Sequence, residues 1–335
     1  MRWSFLLMLF FFIIAGCEKN IFDEKSYNTP ENNFEVFWKE FDRQYSFFSL
    51  LNLDWDSVYT VYKPRIHNNM TQSELFGVLS EMTYLLKDGH VNLYTNFGQS
   101  RYTEWYSKYP VNQLPFNYYV LNMEKPNNKI AYAKIVSHNI GYIYISSFSG
   151  ENEDYEVIDQ ILEEFTDMDG IVIDVRSNSG GSSVNAGIIA SRFANERLLY
   201  VKVRYRNGPE HTDFTNWYSH CLQPYEGNRF LKPVCVLTNR MSYSATEWFV
   251  AMMDVVSGVT IIGDTTGGGS GDPLKRQLPN GWFFRLSNSQ SQLPSGRDYQ
   301  LSGIYPDIPV WINKSDSING KDTILETAIA LIEEE

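Results

Sequence analysis

From Phe34 onward, apolar residues recur at the spacing of one helix face: Phe34, Phe37, Trp38, Phe41 and Tyr45, then Trp55, Val58, Tyr59 and Tyr62. Leu75, Val78, Leu79, Met82 and Leu86 repeat the pattern a third time. Side chains three and four positions apart share a helix face, so this stretch predicts three amphipathic helices. Pro64 closes the second, and Thr71 is placed to cap the third, over Gln72 to Leu86. From about Val91 the texture changes. Val91 to Tyr94, Phe116 to Leu121 and Lys129 to Ile135 alternate or are β-branched, and Ile140 to Ser146 and Gly170 to Val175 read as strands, the second buried. A helix over Val157 to Phe165 separates the last two, and a further buried strand, Pro233 to Leu237, precedes a helix marked by Trp248, Phe249, Met252, Met253 and Val256. Asn280-Gly281 between two extended runs marks a hairpin turn. Strands alternating with helices through Ile262 predict an α/β core with a partly parallel sheet, spanning residues 91–335 behind a small helical N-terminal domain over 34–90.

The first residues follow another logic. Arg2 is followed by an unbroken apolar run, Phe5 to Ile14, which ends in Ile14-Ala15-Gly16-Cys17. So short a run spans roughly 30 Å of hydrocarbon poorly, and it reads as a processing segment. The small residues before Cys17 resemble a bacterial lipoprotein signal over 1–16, with Cys17 lipidated and residues 17–33 a polar tether; a plain signal peptide or an uncleaved anchor are the alternatives. An exported, lipid-anchored protein on a bacterial membrane follows as the expectation. Outside the cytoplasm Cys221 and Cys235 could pair, although Cys235 at mid-strand suits a small buried hydrophobe.

With 335 residues, 43% of them hydrophobic, the chain can bury a large core. A net charge of -12 and the lack of any Lys/Arg-rich run argue against nucleic acid as a partner. Metal chemistry is poorly supported, because no two of the five histidines have helix-ligand spacing and no cysteine pair has zinc spacing. The glycine-rich run Thr265 to Gly271 fits neither a Walker loop nor a dinucleotide fingerprint, so no nucleotide cofactor is expected.

Three segments carry candidate chemistry. In Asn239-Arg-Met-Ser-Tyr-Ser244-Ala-Thr-Glu247 a serine stands between a polar turn and the first turn of a helix. Free N–H groups and the positive dipole end favour an anion there, although Ser244 with Glu247 reads equally as a capping box. In Asp174-Val-Arg-Ser-Asn-Ser-Gly180-Gly181 two glycines at a strand-to-helix loop leave the backbone bare enough for a substrate carbonyl to reach its N–H groups. His90, in Asp88-Gly-His90, sits at a helix-to-strand junction and is the histidine best placed to serve as a base.

In order along the chain, Asp88-Gly-His90, Ile140-Gly-Tyr-Ile, Asp174 to Gly181, Ser244-Ala-Thr-Glu247, Ile262 to Gly267 and Gly303-Ile-Tyr-Pro-Asp307 resemble the tail-specific, or C-terminal processing, serine peptidases. The resemblance is closest to the tricorn-core branch and covers about residues 34 to 312. It implies a crotonase- or ClpP-like layered core, no cofactor, a polypeptide substrate, Ser244 as nucleophile, and oxyanion donors at Gly180 or Gly181 and at Ala245. The processing-protease branch takes its base from a lysine in the glycine-rich segment, which here lacks one; Lys275 is the nearest. The tricorn-like branch uses a histidine matched by His90, and an imidazole with its ordinary pKa near 6.5 suits the task. That branch places a serine before the histidine and an acid ahead of the Gly-x-x-Pro-Asp motif, where this chain has Gly89 and Gln300. Gln300, Asp88 or Asp298 is therefore expected to orient His90. About 50 residues between His90 and Ile140 leave too little room for the PDZ module common in the family. The reading is a serine endopeptidase; its rivals are a Ser-Lys peptidase using Lys275 and a non-catalytic peptide- or lipophile-binding protein on the same scaffold.

Overall fold

The computed structural model describes residues 27–114 and 122–334. The leader, Cys17 and the expected strand Phe116 to Leu121 lie outside the described residues. One sheet dominates, with strands in the order Ile308–Pro309, Val259–Gly263, Val234–Thr238, Gly170–Asp174, Ile140–Ile145 and Ile130–Lys134. Its pairs are parallel except the last. Parallel strands need cover on both faces, which is why they read as continuous apolar runs. Gly170–Asp174 is buried throughout. Ile171 and Ile173 pack in one core with Ile161, Ile189, Phe249 and Met253, and Val172 packs in another with Ile324, Leu325 and Ile329. The first core takes helices Ile158–Glu164, Ser183–Ala190 and Ala245–Asp254, and the second takes Thr323–Glu334. This is the layered α/β core expected.

A third core explains the helical N-terminal region. Helices Pro30–Gln44, Trp55–Tyr62 and Gln72–Leu85 fall close to their expected positions, and Thr71 and Glu74 form a capping box. The first begins ahead of Phe34, with Thr29 capping it and proline in its first turn. Their apolar stripes do not close on one another alone. Phe34, Phe37, Phe41, Leu75 and Leu79 share their core with Leu278, Trp282, Phe284 and Leu286. Phe284 and Leu286 belong to a four-stranded antiparallel sheet ordered Pro273–Gln277, Phe283–Ser287, Asn92–Tyr94 and Gln99–Arg101, and Leu278 and Trp282 to the hairpin between its first two strands. The Asn280-Gly281 hairpin joins the first two strands as expected. The sheet thus ties the N-terminal helices to a distant part of the chain.

A three-stranded sheet, Ser289–Gln292, Leu198–Tyr205 and Tyr218–Leu222, stands beside the main core. Cys221 lies on this sheet and Cys235 in the main one, and no disulfide joins them. The loops that leave the carboxyl ends of Gly170–Asp174 and Val234–Thr238 meet above the main sheet, where open α/β sheets place their sites.

Candidate active site

Ser244 immediately precedes helix Ala245–Asp254 and holds φ 60° and ψ -124°, a conformation rare outside glycine. Such strain persists only where neighbours enforce it, and here the enforcing contacts are visible. Asn239 receives N–H groups from Ser177 at 3.0 Å and Met241 at 3.0 Å, while its amide donates to the Val111 carbonyl at 2.8 Å. The Tyr243 N–H donates to the Asn178 carbonyl at 3.1 Å. The loop on the other side is anchored by Arg176, fully buried between Asp174 and Asp322. Leaving any one of these charges unpaired in the core would cost several kcal/mol, roughly 3–5, so the loop and the Asp174–Arg176–Asp322 cluster stand together.

Glu247 does more than cap the helix. Its carboxylate accepts the Ser244 N–H at 3.1 Å, the Thr266 hydroxyl at 2.6 Å and the N–H groups of Gly268 and Gly269 at 2.8 and 2.7 Å. Complete burial raises its pKa to about 7 despite these donors. The glycine-rich run, read from sequence as a segment missing its lysine, is thereby bolted under the serine. A charged residue entering an otherwise apolar helix was the available signal.

His90 reaches the serine from the opposite side. Its backbone N–H donates to Asp88 Oδ1 at 2.8 Å, and its Nε2 lies 2.9 Å from Ser244 Oγ. The ring packs 4.8 Å from Tyr243, which stacks on Trp105 at 4.0 Å. That stack accounts for Gly89: a Cβ there would stand 2.4 Å from Trp105 Nε1 and 2.8 Å from the Tyr243 hydroxyl. The serine of the tricorn-like pattern has no room. Burial, followed by the positive charges of Arg285 and Arg101, pushes the His90 pKa down to about 3. The expectation of an ordinary imidazole therefore fails, though the neutral ring that a base requires is strongly favoured.

The expected third member departs further. His90 Nδ1 is buried and bonds to none of the described residues. Asp88 is turned instead to Ser287 Oγ at 2.7 Å, the Tyr45 hydroxyl at 3.3 Å and the His90 backbone. The Gln300 oxygen is taken by Ser270, and its amide nitrogen, also buried, is directed at Asp88 without a hydrogen bond of ordinary geometry. Asp298 accepts the Gln300 N–H at 2.7 Å. Lys275 is not in contact with Ser244; it lies on strand Pro273–Gln277 with its ammonium 4.2 Å from the Phe283 ring.

Of the three expected oxyanion donors, Gly180 is committed elsewhere, because its N–H donates to Asn178 Oδ1 at 3.0 Å. Its φ of +103° and the 2.8 Å that would separate an added Cβ from Ser244 Cβ make glycine obligatory. The N–H groups of Gly181 and Ala245 have no acceptor among the described residues. Both residues line a cavity of about 690 Å³ walled by Val184, Ile188, Tyr200, Trp248 and Met252.

A parallel α/β sheet carrying a serine at a strained strand-to-helix turn, in contact with a neutral histidine, has the layout of the serine-type peptidases as a class. A family model described as "Peptidase family S41" matches residues 139–310, and one for the tricorn protease C1 domain matches residues 26–83. The chain belongs to peptidase family S41. It is 40% identical, with a TM-score of 0.84, to the solved structure of a candidate peptidase from Parabacteroides merdae, over 91% of this chain and 96% of that one. Carboxy-terminal processing protease CtpB of Bacillus subtilis is 28% identical over 53% of this chain and 35% of its own length, so the match spans about a third of that relative. Tricorn protease of Thermoplasma acidophilum is 28% identical over 58% of this chain and 17% of its own length. Mature CPAF complexed with lactacystin, at 12% identity and TM-score 0.72, shares the fold alone.

Proposed function

We propose that this chain is a serine endopeptidase acting on exported polypeptides. Ser244 Oγ attacks the scissile carbonyl while His90 Nε2 takes its proton and later delivers it to the leaving amine. The Gly181 and Ala245 N–H groups receive the oxyanion, and the cavity beside them takes a substrate side chain. The observation that carries this reading is the 2.9 Å contact between His90 Nε2 and Ser244 Oγ at a strained turn. No cofactor enters the reaction. Export and attachment through a lipid on Cys17 follow from the apolar run and small residues that precede it.

The unpartnered Nδ1 favours one rival, a peptide- or lipophile-binding protein on the same scaffold. Labelling with a fluorophosphonate probe, with the adduct located by mass spectrometry, separates the two. The peptidase reading expects an adduct on Ser244 and cleavage of an unfolded polypeptide. Ser244→Ala and His90→Ala should each lower turnover by about 10⁶-fold, because members of such a unit fail together. No adduct and no cleavage in folded protein would leave the binding reading. For the anchor, incorporation of labelled fatty acid in a bacterial host should vanish in Cys17→Ala.

A further inference from the structure

The four-stranded sheet presents a row of cations beside His90. Cross-strand register places Lys275 opposite Arg285, Arg285 opposite Asn92, and Asn92 opposite Arg101. Residues directly opposite share a sheet face. This face is turned away from the N-terminal helices, since the alternate row, Phe284 with Leu93, belongs to their core and Arg276 pairs with Glu40 of the first helix. Asn92 is buried, its amide donating to the Gly89 carbonyl at 3.2 Å, whereas Arg101 and Lys275 are exposed and Arg285 is partly so.

Nothing in the fold explains the row. Like charges directly opposite in an antiparallel pair are destabilising. In a chain of net charge -12, carboxylates to neutralise them are plentiful. Yet none of the three takes part in any of the ion pairs among the described residues. Arg285 and Arg101 flank Asn92, two positions beyond His90, on strands spaced at roughly 4.8 Å. Their charges act on both His90 and Tyr243, which agrees with that position.

We propose that Arg285 and Arg101 form a carboxylate-binding subsite beside His90 that selects polypeptides bearing an acidic side chain near the scissile bond. The inference rests on the peptidase reading above. Arginine's planar fork suits a carboxylate, and two such forks on one face allow it to be held from both sides. Bound there, a carboxylate would satisfy the cations that the fold leaves unpaired.

Ser244→Ala protein provides a test that needs no turnover. Fluorescence anisotropy would compare matched peptides differing only by Glu or Gln near the cleaved bond, and by a free or amidated terminus. The Glu peptide should bind about tenfold tighter than its Gln counterpart at low salt, and the gap should shrink as salt screens it. A gap confined to the free and amidated pair overturns the acidic-side-chain subsite. Arg285→Gln and Arg101→Gln, each added to Ser244→Ala, should remove most of that preference; thermal melts confirm that these surface variants fold. Equal binding of all peptides, or a preference unchanged in both arginine variants, overturns the subsite. Failure of unmodified protein to cleave or to take the fluorophosphonate label overturns the peptidase reading separately, while the binding comparison still decides the subsite.

Discussion

Ser244 adopts its φ of 60° because the helix behind it, the Asn239 turn and the Glu247 carboxylate leave no relaxed alternative. The cost of such a conformation is about 1–3 kcal/mol, supplied by the surrounding contacts. Gly180 faces it at the distance of one missing methyl group. Gly180→Ala should therefore hit the site harder than the fold. An added Cβ can be relieved only by moving Ser244 or the loop, so fluorophosphonate labelling is expected to fall by at least about tenfold while denaturant stability drops by about 1–3 kcal/mol. Labelling at the unmodified rate in the folded variant would contradict this account. The serine was legible in sequence from its place between a buried strand and a helix. Its conformation was not, because φ at a residue without glycine's freedom is set by distant partners.

At the scale of elements, the helices of the N-terminal region depend on a strand pair far along the chain. Phe284, with no exposed surface, lies 5.1 Å from the Phe37 ring and 5.6 Å from the Phe41 ring. The same sheet contributes the strand that follows His90. Phe284→Ala should cost about 3–5 kcal/mol in urea unfolding and should do so in a single transition, since helices and sheet share one core. A separate early transition of the helices would refute that coupling. The three helices were readable because 3.6-residue periodicity is a local signal. What covers their apolar faces was not, because strand pairing across such a separation leaves no mark on neighbouring residues.

Over the whole molecule, two buried groups near the nucleophile make stability respond to pH in opposite senses. His90, held at about 3, refuses a proton that the unfolded chain accepts near 6.5, so its contribution is fully present above 6.5 and is lost as pH falls toward 3. Glu247, raised to about 7, keeps a proton that the unfolded chain releases near 4.5, so its contribution is fully present below 4.5 and is lost as pH rises through 7. Urea titrations at pH 4.5, 5.5, 6.5 and 7.5 should show His90→Gln gaining on the unmodified protein as pH falls below 6.5. Glu247→Gln should gain as pH rises from 4.5 to 7, each by up to roughly 1.4 kcal/mol per pH unit. Parallel curves for all three proteins would mean that neither group is desolvated as the packing implies. For the proposed reaction, a depressed His90 predicts that Glu247→Gln protein, which lacks the carboxyl titrating at about 7 beside Ser244, keeps a level labelling rate from pH 8 down to about 5, and an inflection near 6.5 in that variant would argue against it.

By itself the sequence determined the layered α/β class, the helical region before it, and Ser244 and His90 as the pair to examine. Each rests on local information: periodicity, a buried run of β-branched residues, a serine at a helix start, a histidine at an element junction. Only the tertiary structure decided what surrounds that pair. It turned Asp88 toward Ser287 and Tyr45, occupied the Gln300 oxygen with Ser270, spent the Gly180 N–H on Asn178, and left His90 Nδ1 with no described partner. It also set Glu247 beneath the serine and aligned Arg285 with Arg101 across strands whose register the chain does not advertise. The physical reason is common to all of these. A residue's type and neighbours limit what it can donate or accept, but which partner it meets depends on side-chain direction and strand register, which are fixed only when separate parts of the chain pack together.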